Sequence, residues 1–179
     1  MPTYAAFLRG INVGGNKKVP MKELATALEK VGFKNVKTLL NSGNVLVDTT
    51  EKNSSTIAKK IEAIIENKFG FGAHTIVRPI EDLVTLAKTD PFKGIAVTDA
   101  TRLYITFLSE KPASKLQIPY MSPDKSYRIL RVTPTEIISV LTLSASAGTT
   151  EAMGILEKEF GKNITTRNWN TVQKLLQKG

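Results

Sequence analysis

The sequence predicts an α+β protein whose two halves each form an antiparallel sheet with helices packed on it, an α+β sandwich. Three observations support this fold class. The length of 179 residues suits one domain or two small ones packed as a unit, and the hydrophobic share of 41% is that of a globular chain. Residues 1–79 show the order strand, helix, strand, strand, helix, strand, which is the split βαβ or ferredoxin-like pattern.

Each element of the first half has its own signal. Strands are predicted at residues 4–8, 36–40, 45–47 and 75–77, and helices at residues 21–31 and 57–69. Pro20 is typical of a helix start and Gly32 of a helix end, and Ser54 or Ser55 is expected to cap the second helix. Residues 41–44, Asn-Ser-Gly-Asn, are typical of a tight turn between two strands.

The second half repeats this order only in part. We expect one subdomain over residues 1–79, a connector over 80–100 that begins as a helix, and a second subdomain over 101–179. In the second subdomain the patterns predict strands at 103–108, 127–132 and 136–143, a short helix at 112–118, and two final helices near 150–160 and 168–177.

The composition excludes several classes of site. The chain has no cysteine and one histidine, His74, so disulfides, thiolate metal sites, iron–sulfur clusters and multi-histidine metal sites are excluded. We therefore predict no metal and no cofactor. The N-terminus does not have the pattern of a signal peptide, and no apolar stretch reaches the length of a membrane span. The expectation is a cytoplasmic protein without a membrane partner.

Positive charge is concentrated at the two ends of the sequence. The formal net charge is +9, of which +4 falls in residues 1–50, none in 51–100 and +5 in 101–179. A basic surface attracts phosphate groups, so nucleotides, nucleic acid and other anionic ligands are the candidate partners. The alternative is an ordinary lysine-rich surface. Aromatic residues make up only 7% of the chain, which disfavours a stacking platform for single-stranded nucleic acid.

The first group of candidate site residues lies between the first strand and the first helix. Its members are Arg9, Gly10, Asn12, Gly14, Gly15 and Lys17, followed by Lys18. A glycine-rich segment in this position can direct backbone N–H groups toward an anion, and arginine can hold a phosphate or carboxylate with two parallel hydrogen bonds. The segment matches neither of the common phosphate-binding glycine motifs, and the alternative is that the glycines only permit positive φ angles in a long turn.

Ser42, Gly43 and Asn44 form the second group, in the turn between the second and third strands. Alone, these residue types are ordinary for a hairpin turn. In a split βαβ unit, however, the first two strands run parallel and the third lies antiparallel between them. The end of the first strand and this turn then lie at the same sheet edge, where Arg9 and Gly10 are expected to meet the second group.

The third group comprises Arg167, Asn168, Trp169 and Asn170, at the start of the last predicted helix. Thr165 or Thr166 is expected to cap that helix. The single tryptophan either stacks on a planar ligand or fills the protein core. We expect the three groups to converge on one cationic cleft lined with amide groups.

Four motifs carry a resemblance to a known family. They are, in this order, Leu8-Arg9-Gly10-Ile11-Asn12-Val13-Gly14-Gly15, Val19-Pro20-Met21 with Leu24, Ser42-Gly43-Asn44, and Thr166-Arg167-Asn168-Trp169-Asn170-Thr171. Together they resemble the bacterial family called domain of unknown function 1697, over the whole chain. The resemblance implies an α+β sandwich of two ferredoxin-like subdomains. It implies no reaction, so no catalytic residue is carried over, and residues 79–160 contain no motif that maps onto the family.

The candidate residues favour binding of a phosphate-bearing ligand, either a nucleotide or nucleic acid. In this hypothesis Arg9 and Arg167 contact phosphate, while Asn12, Asn44 and Asn168 contact polar edges of the ligand. The motif segments contain no Asp or Glu, which argues against a carboxylate-based nuclease or glycosidase.

Two alternatives remain open, and the sequence does not decide whether the protein is an enzyme. One is an enzyme acting on an anionic small molecule, with Ser42 or a bound water as the reacting group and no identified general base. His74, outside the motif groups, is expected to be structural or exposed. The other is a purely structural role, in which buried Arg9 and Arg167 hold the fold together by hydrogen bonds.

Overall fold

The computed structural model describes residues 1–179 and contains nine strands and five helices. The chain divides into unit 1, which comprises Met1–Lys88 and Gln173–Gly179, and unit 2, which comprises Thr89–Val172. These boundaries differ from the expected ones. The helix over residues 80–88 groups with the N-terminal strands instead of belonging to a connector, and the last residues of the C-terminal helix group with them too.

Unit 1 has the predicted split βαβ topology. Its elements are β1 (Thr3–Leu8), α1 (Met21–Lys30), β2 (Lys34–Leu39), β3 (Asn44–Asp48), α2 (Ser54–Phe69), β4 (Thr75–Pro79) and α3 (Ile80–Lys88). The sheet order is β2-β3-β1-β4, and all neighbouring strands are antiparallel. This is the order of a ferredoxin-like sheet, so the first half of the fold prediction is confirmed.

One face of the unit 1 sheet packs on α1 and α2, whereas the residues of β1 and β3 that point to the other face, such as Phe7 and Leu46, are buried as well. The buried cluster combines alternate strand residues with helix residues spaced by three or four positions, namely Tyr4, Ala6, Leu8, Val45 and Val47 with Leu24, Leu28, Ile57, Ile61 and Ile65. Burial of each large side chain in such a cluster contributes about 1.5–3 kcal/mol.

The ends of α2 are fixed by Asn53 and Gly70. Asn53 is the N-cap, and its side-chain oxygen accepts a hydrogen bond from the Thr56 N–H at 3.0 Å. The expectation that Ser54 or Ser55 caps this helix was therefore wrong, because the helix begins one residue earlier in the Asn-Ser-Ser run. Gly70 ends the helix in the left-handed conformation, with φ of 81°.

Unit 2 contains a second antiparallel sheet. Its elements are β5 (Thr101–Leu108), β6 (Tyr120–Met121), β7 (Tyr127–Val132), β8 (Glu136–Thr142), α4 (Thr149–Phe160) and β9 (Ile164–Asn168), followed by α5 (Trp169–Lys178), which ends in unit 1. The strand order is β6-β7-β8-β5-β9. Apart from β6 at the edge, this is the same order as in unit 1, and α4 packs on one face through Ala152 and Leu156.

Two predictions for unit 2 were wrong. No helix forms over residues 112–118, because Pro112 and Pro119 flank a stretch without a helical apolar stripe. Thr165 and Thr166 do not cap a helix but lie in β9, where the Thr166 hydroxyl is 2.8 Å from the Thr106 hydroxyl of β5. The β-branched run Ile-Thr-Thr suits a strand, and its shortness hid it in the sequence.

None of the five helices combines the length and the hydrophobicity that crossing a membrane requires.

Candidate functional site

The first two groups of candidate residues meet at the edge of unit 1 where β1 ends. Phe7 pairs with Asn44 in the sheet, and the Leu8 N–H donates to the Gly43 carbonyl at 2.8 Å. The predicted approach of the turn to the end of β1 is thus confirmed. Gly43 has φ of +87°, and a Cβ placed there would lie 2.8 Å from both Leu8 Cβ and Ile11 Cδ1, so only glycine fits.

Asn12 holds the glycine-rich loop in place. Its side-chain oxygen accepts the Val19 N–H at 2.7 Å, and its amide donates to the carbonyls of Val19 at 3.0 Å and Asn41 at 2.7 Å. One carboxamide therefore joins the loop, the chain entering α1 and the turn after β2. These bonds position the three segments, and contact of Asn12 with a ligand stays a prediction.

Asn44 also acts within the protein. It is fully buried, and its amide donates to the Leu39 carbonyl at 2.9 Å and to the Ser42 hydroxyl at 3.1 Å. A side chain with no exposed surface cannot read the edge of a ligand, so Asn44 shapes the turn instead. Ser42 itself is exposed at the same edge.

The loop has an unusual run of left-handed backbone. Gly10, Asn12, Gly14, Gly15 and Lys17 all have φ between 47° and 76°. The amides of Asn12 and Asn16 donate to carbonyls within the loop, whereas those of Gly14 and Gly15 donate to no other part of the chain. Because the Asn16 N–H donates to the Val13 carbonyl at 3.2 Å, Gly14 and Gly15 are the central residues of a tight turn that requires positive φ at both positions. The N–H groups of such a turn stay available to an anion.

A pocket of about 370 Å³ opens beside this loop. It is lined by Asn12, Gly15, Lys18, Val19, Pro20 and Asn41, with one lysine and no acidic residue among them. We call it the loop pocket. Pro20 is the N-cap of α1 and makes no side-chain capping bond, and the first helical hydrogen bond runs from the Leu24 N–H to the Pro20 carbonyl at 3.0 Å. The loop pocket thus borders a helix start whose first N–H groups lack a side-chain cap.

Glu23, the acidic residue in the first turn of α1, does not cap the start of the helix. The Glu23 carboxylate lies 3.6 Å from the Lys68 ammonium of α2, on the helical side of unit 1. Glu23 therefore does not cap the helix start, although its charge lies in the first turn of α1.

Residues 71–75 also lie at the edge of unit 1 where β1 ends. The sequence analysis did not place them there. The Arg9 N–H donates to the His74 carbonyl at 2.8 Å, and the Lys17 ammonium donates to the Gly72 carbonyl at 3.1 Å. Lys17 therefore ties the loop to this segment. β1 pairs with β4, and Leu8 lies opposite Thr75. The predicted split βαβ order implies this pairing, so it could have placed His74 near Arg9.

Glu62 of α2 holds the start of β4. Its carboxylate accepts the Thr75 N–H at 2.7 Å and lies 3.4 Å from His74 Nδ1. The single histidine is thus anchored by a carboxylate that also fixes the neighbouring backbone. This arrangement fits the structural role expected for His74.

The third group lies mainly in β9 of unit 2. Arg167, opposite Ile105 in the sheet, is 9% exposed, and its guanidinium donates to the Thr165 hydroxyl at 2.8 Å and the Thr166 carbonyl at 2.9 Å. Burial lowers the pKa of Arg167 to about 10. A guanidinium buried in this way favours the structural alternative for Arg167.

Trp169 begins α5 and packs on Phe92, with ring centroids 5.8 Å apart and planes inclined by 55°. This tilted contact favours the interpretation of the tryptophan as a packing residue of unit 2. Asn168 and Asn170, on either side of it, are exposed. The convergence of this group with the first two in one cleft stays a prediction.

No group of three or more His, Asp and Glu side chains is arranged to hold a metal ion.

Comparisons with known proteins concern the family and the fold. The family described as "Protein of unknown function (DUF1697)" matches residues 1–137, which include the loop and the turn. The structure of conserved bacterial protein SP0830 from Streptococcus pneumoniae is similar, with a TM-score of 0.71, 21% identity, and coverage of 99% of this chain and 98% of that chain. No curated protein matches the sequence.

Proposed function

The chain belongs to the DUF1697 family of proteins of unknown function, and we propose that it binds a phosphate-bearing ligand at the loop pocket of unit 1. The observation that carries the proposal is the chemistry of the pocket wall. The lining residues supply one ammonium group, from Lys18, and no carboxylate, beside the uncapped start of α1. A helix start without a cap and a nearby cation form a favourable setting for a phosphate group.

The backbone of the loop supports the same ligand class. Gly14 and Gly15 have left-handed φ angles of 60° and 76°, and their N–H groups are not used within the protein. Both glycines are exposed. Donors fixed in the backbone need no side-chain ordering when an anion binds, so this part of the site is formed before the ligand arrives.

The phosphate contact is assigned to Lys18 instead of Arg9 and Arg167. Arg9 does not line the loop pocket, and Arg167 lies buried in unit 2. Lys18 is exposed and adjoins both the loop and the chain entering α1. A cytoplasmic location is part of the proposal, because a chain without cysteine suits a reducing compartment.

The test compares two lysines of unit 1 that differ in position alone. Lys18→Gln removes the charge at the loop pocket, and Lys60→Gln removes the same charge from an exposed position of α2. Titration of ribose 5-phosphate, followed by amide NMR shifts, is expected to move the Gly14, Gly15 and Lys22 signals. Lys18→Gln is expected to weaken the affinity about fivefold, since loss of one exposed charge-assisted contact costs about 1 kcal/mol.

Lys60→Gln serves as the control for net charge and is expected to bind like the unmodified protein. If ribose 5-phosphate moves none of these amide signals, or if the two variants bind equally, the proposal is wrong. The dependence of the affinity on salt distinguishes a ligand with one phosphate from a nucleic acid. A protein that contacts several phosphates of a nucleic acid loses affinity steeply as the salt concentration rises.

A further inference from the structure

We infer that Lys17 positions the glycine-rich loop for anion binding and does not itself contact the anion. This inference rests on the proposed phosphate site, because it concerns what holds that site in its binding form. Lys17 and Lys18 are adjacent at the end of the loop. Only Lys18 lines the loop pocket, so the two ammonium groups have different surroundings.

The Lys17 ammonium is held by the segment that follows α2. It donates a hydrogen bond to the Gly72 carbonyl at 3.1 Å and lies 5.9 Å from the centre of the Phe71 ring. A carbonyl oxygen and the face of an aromatic ring both attract a cation, and the flexible lysine stem lets one ammonium reach both. Neither Gly72 nor Phe71 lines the loop pocket. The Lys17 side chain therefore joins the loop to residues 71–72.

The loop is tied to the same segment at its other end. At the start of the loop, the Arg9 N–H donates to the His74 carbonyl at 2.8 Å. Gly14 and Gly15, whose N–H groups are proposed to bind the anion, lie in the chain between this bond and Lys17. The two ties restrict the loop from both ends, and only the one at Lys17 depends on a side chain.

The segment can anchor the loop because it is itself fixed on both sides. Gly70, which ends α2, donates its N–H to the Glu66 carbonyl at 2.9 Å. On the other side, the Glu62 carboxylate accepts the Thr75 N–H at 2.7 Å. Residues 71–74 therefore lie between two hydrogen bonds to α2. A loop tied to a fixed segment keeps its backbone donors in place before the anion arrives, so loss of the tie is expected to lower the affinity through loss of order.

A double-mutant cycle separates positioning from direct contact. Lys17→Met removes the ammonium, Phe71→Leu removes the ring without a change of charge, and a third protein carries both changes. The affinity for ribose 5-phosphate is measured by calorimetry at constant salt. Each single variant is expected to weaken the affinity about threefold, the size of an exposed cation–π contact. The double variant is expected to bind no more weakly than Lys17→Met, because both changes break the same tie.

Two further variants are controls. Lys17→Arg keeps a cation that can reach the same partners and is expected to bind within about twofold of the unmodified protein. Lys60→Met removes an equal charge from an exposed position of α2 and is expected to leave the affinity unchanged. In the free protein, the NMR order parameters of the Gly14 and Gly15 amides are expected to fall in Lys17→Met but not in Lys60→Met. Melting temperatures identify any variant that has lost its fold.

Two results would refute the positioning role while the phosphate site stands. In the first, Lys17→Met weakens the affinity but Phe71→Leu does not, or the two losses add in the double variant, so that Lys17 acts on the anion by its charge. In the second, the order parameters of Gly14 and Gly15 are unchanged in Lys17→Met, a result that does not depend on the folding of Phe71→Leu. If ribose 5-phosphate does not bind the unmodified protein, the proposed function itself is wrong and this inference falls with it.

Discussion

Replacement of Gly43 by alanine tests the close approach between the turn and the end of β1. Gly43 has φ of +87°, and an added Cβ would lie 2.8 Å from Leu8 Cβ and from Ile11 Cδ1. Both neighbours are fully buried. The Ile11 methyl group sits at the end of a flexible side chain, but Leu8 Cβ is fixed to the backbone. The turn cannot retreat either, because the Leu8 N–H donates to the Gly43 carbonyl at 2.8 Å.

The cost has two parts. Alanine in the left-handed region costs about 1 kcal/mol relative to glycine. Overpacking of a buried contact adds about 1–3 kcal/mol. The free energy of unfolding is therefore expected to fall by about 2–4 kcal/mol, which for a chain of this size lowers the melting temperature by roughly 4–16 °C.

Gly15→Ala is the matched control. Gly15 has a similar φ of +76°, but a Cβ placed there has nothing within 4 Å. It therefore reports the conformational cost alone, about 1 kcal/mol. Thermal unfolding followed by circular dichroism measures both variants. If Gly43→Ala is destabilised no more than Gly15→Ala, the close approach of the turn to Leu8 is not rigid and the reasoning fails.

Four further variants test hydrogen bonds in unit 1. Asn12→Ala is expected to lower the free energy of unfolding by about 2–3 kcal/mol in a denaturant titration, since three hydrogen bonds of about 1 kcal/mol each are lost. Asn53→Ala is expected to cost about 1 kcal/mol, whereas Ser54→Ala should change little; the reverse order would contradict the observed cap of α2. Burial alone would raise the pKa of Asp48, but hydrogen bonds led by that from the Thr3 hydroxyl outweigh it and hold the pKa below the ordinary 3.8. The ionised Asp48 side chain therefore stabilises the fold above about pH 4. This contribution is lost as the pH falls through the pKa of Asp48 in the folded state. The difference in the free energy of unfolding between the unmodified protein and Asp48→Asn should therefore decrease in acid.

The order of elements in unit 1 was predictable because each element carries a strong periodic signal. The helix at residues 21–30 and the strands beside it have apolar residues at helical or alternate spacing, and glycine or proline stands at their ends. Topology then followed from the split βαβ order, and with it the approach of the turn to β1. Unit 2 was harder, since β6 has only two residues and β9 only five.

Side-chain roles within the site were less predictable than its location. Asparagine at positions 12 and 44 carries the same signal in the sequence whether its amide faces a ligand or the backbone. Only the three-dimensional partners, such as the Val19 N–H and the Leu39 carbonyl, show that both amides serve the fold. The burial of Arg167 likewise depends on the position of β9 in its sheet, and the sequence did not reveal that strand.

The contacts of Asn12 separate the frame of the site from its binding groups. The Asn12 carboxamide fixes the loop, the entry to α1 and the turn, so its loss is expected to change stability and ligand affinity together. Lys18 lines the same pocket but is exposed, so its charge can be removed with little effect on folding. In the proposed site, the hydrogen bonds of Asn12 to the backbone hold the geometry, and the charge of Lys18 is expected to attract the anion. Lys18→Gln is therefore expected to change affinity alone, whereas Asn12→Ala is expected to change both affinity and stability.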